Sequence, residues 1–288
     1  MRNLLFACLA LLALIPAAAA KPPTTEEERE RTLRALSWHE GESDDLPISH
    51  GTLKAPAQIL QLAGPDAALL WETLNGVDAP KGMEAALLDQ KTEALVFYLK
   101  IGGGYIKLDD WDDLDADAML KAMIANTEAD NERRKTAGVP ALHIVGWLER
   151  PQLDRANNVA YWSFEARDEQ TGPLVNSIAL VLARDGFEKL IWIGPGRSVG
   201  TPDLLKVAQA SFVFPAGGRY VDFQTGDKVA EYGIAGLVAA VMGVKVASKL
   251  GLLALGLVFA KKLWFLIFVP LAVAWRWLKR VTTGNRAG

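Results

Sequence analysis

Six aspartates fall within nine residues at Asp109-Asp110-Trp111-Asp112-Asp113-Leu114-Asp115-Ala116-Asp117. Such a run invites a calcium reading, because hard cations take oxygen ligands. Asp113, Asp115 and Asp117 alternate as the first ligands of an EF-hand loop do. The pattern then fails: the sixth position, where such a loop needs glycine, is Ala118, and the twelfth, where it needs an acid, is Ile124. The same residues have a structural use. A helix follows, and acids ahead of it and in its first turn accept hydrogen bonds from free N–H groups and complement the helix dipole. Capping is the expectation, with Asp113, Asp115 and Asp117 as the metal candidates and an acidic partner surface as the third reading.

Other chemistry is thinner. Gly194-Pro195-Gly196-Arg197-Ser198-Val199-Gly200 precedes a helix with Thr201 at its cap and Pro202 at its first position, so Arg197 is a candidate anion contact. Asp203 in that first turn opposes an anion, and a P-loop lysine is absent. Gly102-Gly103-Gly104 could cradle an anion but is expected to be a hairpin turn. His39, His50 and His143 form neither an H-E-x-x-H helix nor a triad, and no G-x-S-x-G elbow occurs. Cys8 is the only cysteine. No cofactor motif is present. The chain reads as a binding domain, with a hydrolase using two carboxylates, or a cation-responsive domain, as the alternatives.

The elements that would carry these residues form an α+β domain with a largely antiparallel sheet and flanking helices. Glu26–Arg31 is compatible with a short helix through Leu36, inside a charged tether over 21–50. Ala67–Leu74 reads as a helix ended by Asn75-Gly76. Ala94–Ile101 is a strand, expected to pair with Tyr105–Leu108 across the glycine triplet. The clearest helix runs from Asp115 to Ala137, with Ala116, Leu120, Met123, Ile124 and Thr127 buried and Asp130/Arg134 on the outer face. Gly138 and Pro140 stop it. Leu142–Leu148, Val159–Arg167, Val175–Ala183 and Phe187–Ile193, separated by turn signals, predict an antiparallel meander. Trp147, Trp162 and Trp192 lie on those strands and are expected in the core. Asp203–Ala210 is a further helix.

Both ends carry address signals. Arg2, the apolar run Leu4–Ile15 and Ala17–Ala20 have the layout of a cleaved signal peptide, 1–20. The C-terminal part, 229–288, holds three charge-free apolar runs (Tyr232–Val244, Leu250–Ala260 and Leu263–Trp275) broken only by lysines. Residues 21–228 contain 22 Lys/Arg against 33 Asp/Glu, whereas 229–288 hold 8 basic residues and one acid, Glu231. An acidic body on a basic, apolar stalk predicts a membrane anchor and disfavours nucleic acid as a partner. A span near 257–278 would place Lys261, Lys262 and Trp264 at one interface and Trp275 and Trp277 at the other. Arg276, Lys279 and Arg280 would then lie on the cytoplasmic side. A helical hairpin with Val229–Ala260 as a first span is the alternative.

In combination, several segments resemble an uncharacterised bacterial family of predicted membrane-anchored proteins, a domain of unknown function. They are Gly104-Tyr105-Ile106-Lys107 with the Asp109–Asp117 run and Met119-Leu120-Lys121; Glu132-Arg133-Arg134-Lys135; and His143-Ile144-Val145-Gly146-Trp147 with Pro151 and Asp154. Gly218-Arg219-Tyr220-Val221-Asp222-Phe223, Asp227-Lys228-Val229-Ala230 and Tyr232-Gly233 complete them. The resemblance implies an exported α+β domain, 51–228, tethered at the inner membrane, and carries no activity. The partners expected are the lipid bilayer and another envelope protein or a cell-wall component.

Overall fold

The computed structural model describes residues 25–75, 78–92, 94–136, 140–170, 172–195 and 203–243. Arg197 lies outside them, as do residues 1–20. So does the proposed anchor with Lys261, Lys262, Trp264, Trp275, Arg276, Trp277, Lys279 and Arg280.

In chain order the first elements are α1 (Glu26–Ala35), β1 (Glu42–Ser43), β2 (Thr52–Lys54), β3 (Ile59–Ala63) and α2 (Pro65–Asn75). β4 (Met83–Asp89), β5 (Ala94–Ile101) and α3 (Ala116–Thr136) follow, then β6 (Leu142–Asp154), β7 (Val159–Asp168), β8 (Gly172–Leu182) and β9 (Phe187–Pro195). The last are α4 (Asp203–Ser211), β10 (Phe212–Val213) and α5 (Ile234–Val241). Seven strands make one sheet in the order β3-β4-β5-β9-β8-β7-β6, every pairing antiparallel, and β1-β2-β10 make a small second sheet.

The period of two along each strand divides the side chains between two apolar layers. On the first face Val96, Tyr98, Leu190 and Trp192 pack with Leu46, Leu53, Leu205, Ala208 and Phe212, so α4 and the small sheet cover it. On the second face one end holds Trp71 of α2 edge-on to Phe97, ring centroids 5.1 Å apart. The other end holds Trp162, Ile178 and Leu180 beneath Met119 and Met123 of α3 and Leu237 and Val238 of α5. The outer strand β6 has three register irregularities and contains Pro151, features that disfavour edge-to-edge pairing with another chain.

The meander matches its expected strands, and Trp162 and Trp192 are fully buried. Four expectations change. The glycine triplet does not turn a hairpin: β5 pairs with β4 and β9, and Tyr105 instead bridges Val229. β4 escaped the sequence reading because it is buried on both faces, so Met83–Leu88 shows no alternation. Arg134 lies inside, 3 % exposed, its Nε donating to the Pro140 carbonyl at 2.7 Å and its guanidinium 3.8 Å from buried Asp168. Residues 25–50 are no simple tether, because α1 carries a Thr25–Glu28 capping box and Leu36 and Leu46 are buried.

A further change concerns the C-terminal apolar stretch. Its first charge-free run supplies α5, whose Ile234, Leu237, Val238 and Ala239 are buried with Met242 in the body's own core. Burial of the Ile, Leu, Val and Met side chains stabilises by about 1.5–3 kcal/mol each, ample reason for the run to fold into the domain. The body therefore extends past 228. Among the described residues no helix is long and apolar enough to cross a membrane.

Candidate functional site

A groove of about 470 Å³ opens where four loops meet at one end of β5 and β9. Gly103, the β8–β9 turn with Arg184 and Asp185, the Phe214–Gly218 segment and the Asp227–Lys228 segment line it, along with Ser49 and Lys100. The loops approach so closely that glycine is required at two points. A Cβ on Gly186 (φ +71°) would sit 1.8 Å from the Ile101 carbonyl oxygen. One on Gly104 (φ +104°) would sit 2.9 Å from the Lys228 carbonyl oxygen and the Ala230 nitrogen. Main-chain bonds seal these contacts, with Tyr105 N–H donating to Lys228, Ala230 to Tyr105, Gly186 to Gly104 and Arg184 to Gly218.

Charge in the groove is held in place by partners. The Gly103 and Gly104 N–H groups donate to Asp185 Oδ1 at 3.2 and 2.6 Å. The triplet thus does cradle an anion, but the anion is the chain's own. Those backbone bonds, followed by the charges of Lys100 and Lys228, hold the Asp185 carboxyl below the usual range. Arg184 grips Asp227 with two bonds, Nε to Oδ2 and Nη2 to Oδ1, each 2.7 Å. That fork keeps Asp227 ionised and the guanidinium charged. Beside the groove Arg219 holds Asp222 the same way at 2.9 and 2.8 Å, and the Asp222 carboxyl is pushed down to about 2. Lys100 Nζ donates to the Asp185 carbonyl and lies 5.7 Å from the Phe214 ring, and burial lowers its pKa against the pull of nearby acids. The Lys228 side chain is exposed, and its ammonium has no hydrogen bond or ion pair among the described residues.

An aromatic stack forms just along the chain from these loops. Tyr105 lies between Tyr220 and Phe223, with centroids 4.4 and 4.1 Å away, and Tyr220 Oη donates to the Ile106 carbonyl at 2.7 Å. Val221, Phe223, Val229 and Tyr232 are exposed in the same stretch of chain.

This arrangement suits recognition better than proton transfer. A carboxylate pair that hydrolyses a substrate needs one acid kept protonated near neutral pH. Asp185 and Asp227 both face the groove and are both held as carboxylates. Among the described residues, what remains in the groove is a surface of paired charge with one free ammonium, that of Lys228.

The sequence candidates lie elsewhere. Asp115 Oδ1 accepts from the Asp117 and Ala118 N–H groups at 3.1 and 2.9 Å, which caps α3. Asp117 pairs with Arg150, Asp110 accepts from the Ala235 N–H at 3.2 Å, and Asp113 is exposed in a short turn. Among the described residues no three His, Cys, Asp or Glu side chains converge as metal ligands would. His143 sits at the sheet edge with Nδ1 2.8 Å from Glu128 and Nε2 3.5 Å from Glu169, and the Glu128 bond raises its pKa.

Sequence reasoning missed Lys100, Arg184 and Asp185, and used Asp227 and Lys228 only as part of a resemblance. A signal was nonetheless present. Gly104-Tyr105, Gly218–Phe223 and Asp227–Ala230 stand out separately along the chain, and the fold brings them to this one place.

Fold and site together define an α+β domain with a single large antiparallel sheet, covered on both faces, and a charged groove built from the loops at one end. The chain belongs to the family described as protein of unknown function (DUF2167), which it matches over residues 39–272. The match begins within the first folded stretch and runs beyond α5 into the apolar C-terminal segment. A search of curated proteins returned no match. Among solved structures, the solution structure of cyanobacterial PsbP (CyanoP) from Synechocystis sp. is similar at 9 % identity and a TM-score of 0.37. The similarity covers 62 % of this chain and 94 % of that one. A likeness of that grade carries neither fold nor function to this chain.

Proposed function

We propose that this protein is an exported, membrane-anchored domain of the bacterial cell envelope that binds another envelope protein or a cell-wall component through its groove and performs no chemistry there. The observation that carries the binding role is the groove's charge arrangement. Its two acids are held ionised by an arginine fork and by backbone amides, which leaves Lys228 to meet a partner. Fixed, pre-paired charges favour specificity, because the site loses little side-chain entropy when it is occupied. The address rests on the N-terminal n-region and apolar run, and on the apolar stretch 250–278 with its basic flank. α5 is taken by the body's core, so a single span near 257–278 is favoured over a hairpin.

A photo-crosslinking residue in place of Lys228, in full-length protein in its own membranes, tests the binding role. A discrete adduct is expected, weakened when Arg184→Ala is added. No adduct from Lys228 or from Phe214 would overturn it. Protease applied to intact spheroplasts tests the address: the body should be digested and a C-terminal epitope protected, and the opposite pattern would reverse the topology.

A further inference from the structure

Beneath the groove two glutamates are shut away from water. Glu84 and Glu188 are each 0 % exposed. A register irregularity between Met83 and Ala85 sets Glu84 where its Oε2 accepts from the Ile48 and Ser49 N–H groups at 3.0 and 2.8 Å. Glu188 stands opposite Lys100 across the β5–β9 pairing. Among the described residues, Glu84 Oε1 and both Glu188 oxygens meet no N–H or O–H donor. Glu84 is the neighbouring carboxyl, and burial followed by this neighbour pushes Glu188 well above the usual range.

Two carboxylates with three unsatisfied oxygens cannot both stay charged out of water, because an unpaired buried charge costs several kcal/mol. One proton resolves the conflict, as it turns one acceptor into a donor aimed at the other. Glu84 already takes two backbone N–H bonds and is the better anion. Glu188 has none and is the better acid.

We infer that Glu84 and Glu188 form a buried proton site, with Glu188 donating its proton to the Glu84 carboxylate, and that this bond braces the 46–51 segment and β4 beneath the groove floor. Ser49 and Lys100, which line the groove, each adjoin one member of the pair. A metal ion is the poorer occupant, since among the described residues no third ligating side chain joins these two carboxylates. The titratable groups that interact with the pair are the Lys100 ammonium, with Asp185 behind it, and the Tyr98 hydroxyl, which donates to the Ala208 carbonyl at 2.8 Å; Tyr161 packs against the same face. From α4 and the small sheet the face is met by Leu205, Ala208, Phe212 and Phe214, none of which titrates.

A carboxyl whose folded pKa is raised gives stability that is complete below its unfolded pKa and is lost as pH rises through the folded one. Infrared difference spectra of the full chain should show a protonated-carboxyl band at neutral pH, absent from Glu188→Gln. The melting temperature of the wild type should fall as pH rises above the ordinary glutamate range, whereas that of Glu188→Gln, which keeps a donor without a titrating group, should hold level. Glu84→Gln should melt lower than Glu188→Gln at every pH. In the wild type the Ile48 and Ser49 amides, which donate to Glu84, should exchange faster at the alkaline end than base catalysis alone requires. Absence of the neutral-pH band, or equal pH slopes for wild type and Glu188→Gln, would overturn the assignment. Metal-dependent stabilisation abolished by Glu188→Gln would overturn it in favour of a cation. None of these readouts depends on the groove having a partner.

Discussion

The acidic run at Asp109–Asp117 and the loops around Arg184 are opposite cases. In the first, six carboxylates adjoin in sequence and separate in space, and those with partners serve different local ends: a helix cap, an ion pair with Arg150, a contact to α5. In the second, Lys100, Asp185 and Asp227 are up to 127 positions apart in the numbering, yet the sheet brings them to one groove. Density along the chain reflects the needs of the nearest helix, whereas convergence needs strands to place distant loops side by side. The Glu84–Glu188 pair extends the lesson, since neither residue has a conspicuous neighbour in sequence.

The sharpest test substitutes the glycines that allow the loops to meet. Gly186→Ala places a Cβ against backbone at a positive φ and should cost about 3–5 kcal/mol or prevent folding. Gly217→Ala has a positive φ but nothing within 4 Å of its Cβ, so it should cost only about 1 kcal/mol. Denaturant titration of both separates close approach from simple backbone strain; equal losses would mean that the loops have room to spare.

Breaking the groove's ion pair comes next. Asp227→Asn should lower the melting temperature at neutral pH and leave a shallower decline on the acid side. The carboxyl's folded pKa is depressed, so its contribution is present above the ordinary aspartate range and lost as pH falls through the folded value. An acid limb unchanged from the wild type would show that Arg184 and Asp227 do not pair in solution.

Within the acidic run the expected effects are smaller and uneven. Asp115→Ala removes the cap of α3 and should cost about 1 kcal/mol, whereas exposed Asp113→Ala should stay within about 0.5 kcal/mol. Equal losses at the two positions in urea would point to a shared ligand instead. Millimolar calcium should leave the melting temperature of the full chain unmoved, and a rise abolished by Asp113→Ala would reinstate the metal reading.

The smallest effect is at the sheet edge. His143 has a raised folded pKa, so its contribution is complete below the unfolded value and disappears as pH rises through the folded one. Wild type and His143→Ala should therefore differ slightly in melting temperature at mildly acidic pH and coincide under alkaline conditions. A difference that persists there would assign His143 a packing role.

Much of the fold was legible where periodicity is clean. β7 alternates between the faces and β8 and β9 follow it, with turn residues between them. Asp115 announced the start of α3, and Gly138 and Pro140 its stop. β4 was hidden because both its faces are buried, and α5 because an apolar helix reads alike whether lipid or protein surrounds it. Arg134 was misplaced for a related reason: an i,i+4 acid–base pair looks solvent-facing until the fold supplies buried Asp168 on the neighbouring strand.

By itself the sequence determined the α+β class, the meander, the capping of α3 and a contrast between an acidic body and a basic, apolar C-terminal stretch. These follow from propensity, periodicity and charge, which act over a few residues. Only the tertiary structure decided that the glycine triplet would hold Asp185, that Tyr232–Val244 would begin inside the domain, and that Glu84 and Glu188 would meet. Such outcomes depend on strand order and on which surfaces remain to be buried, and pairwise contacts between distant residues leave no trace in local pattern.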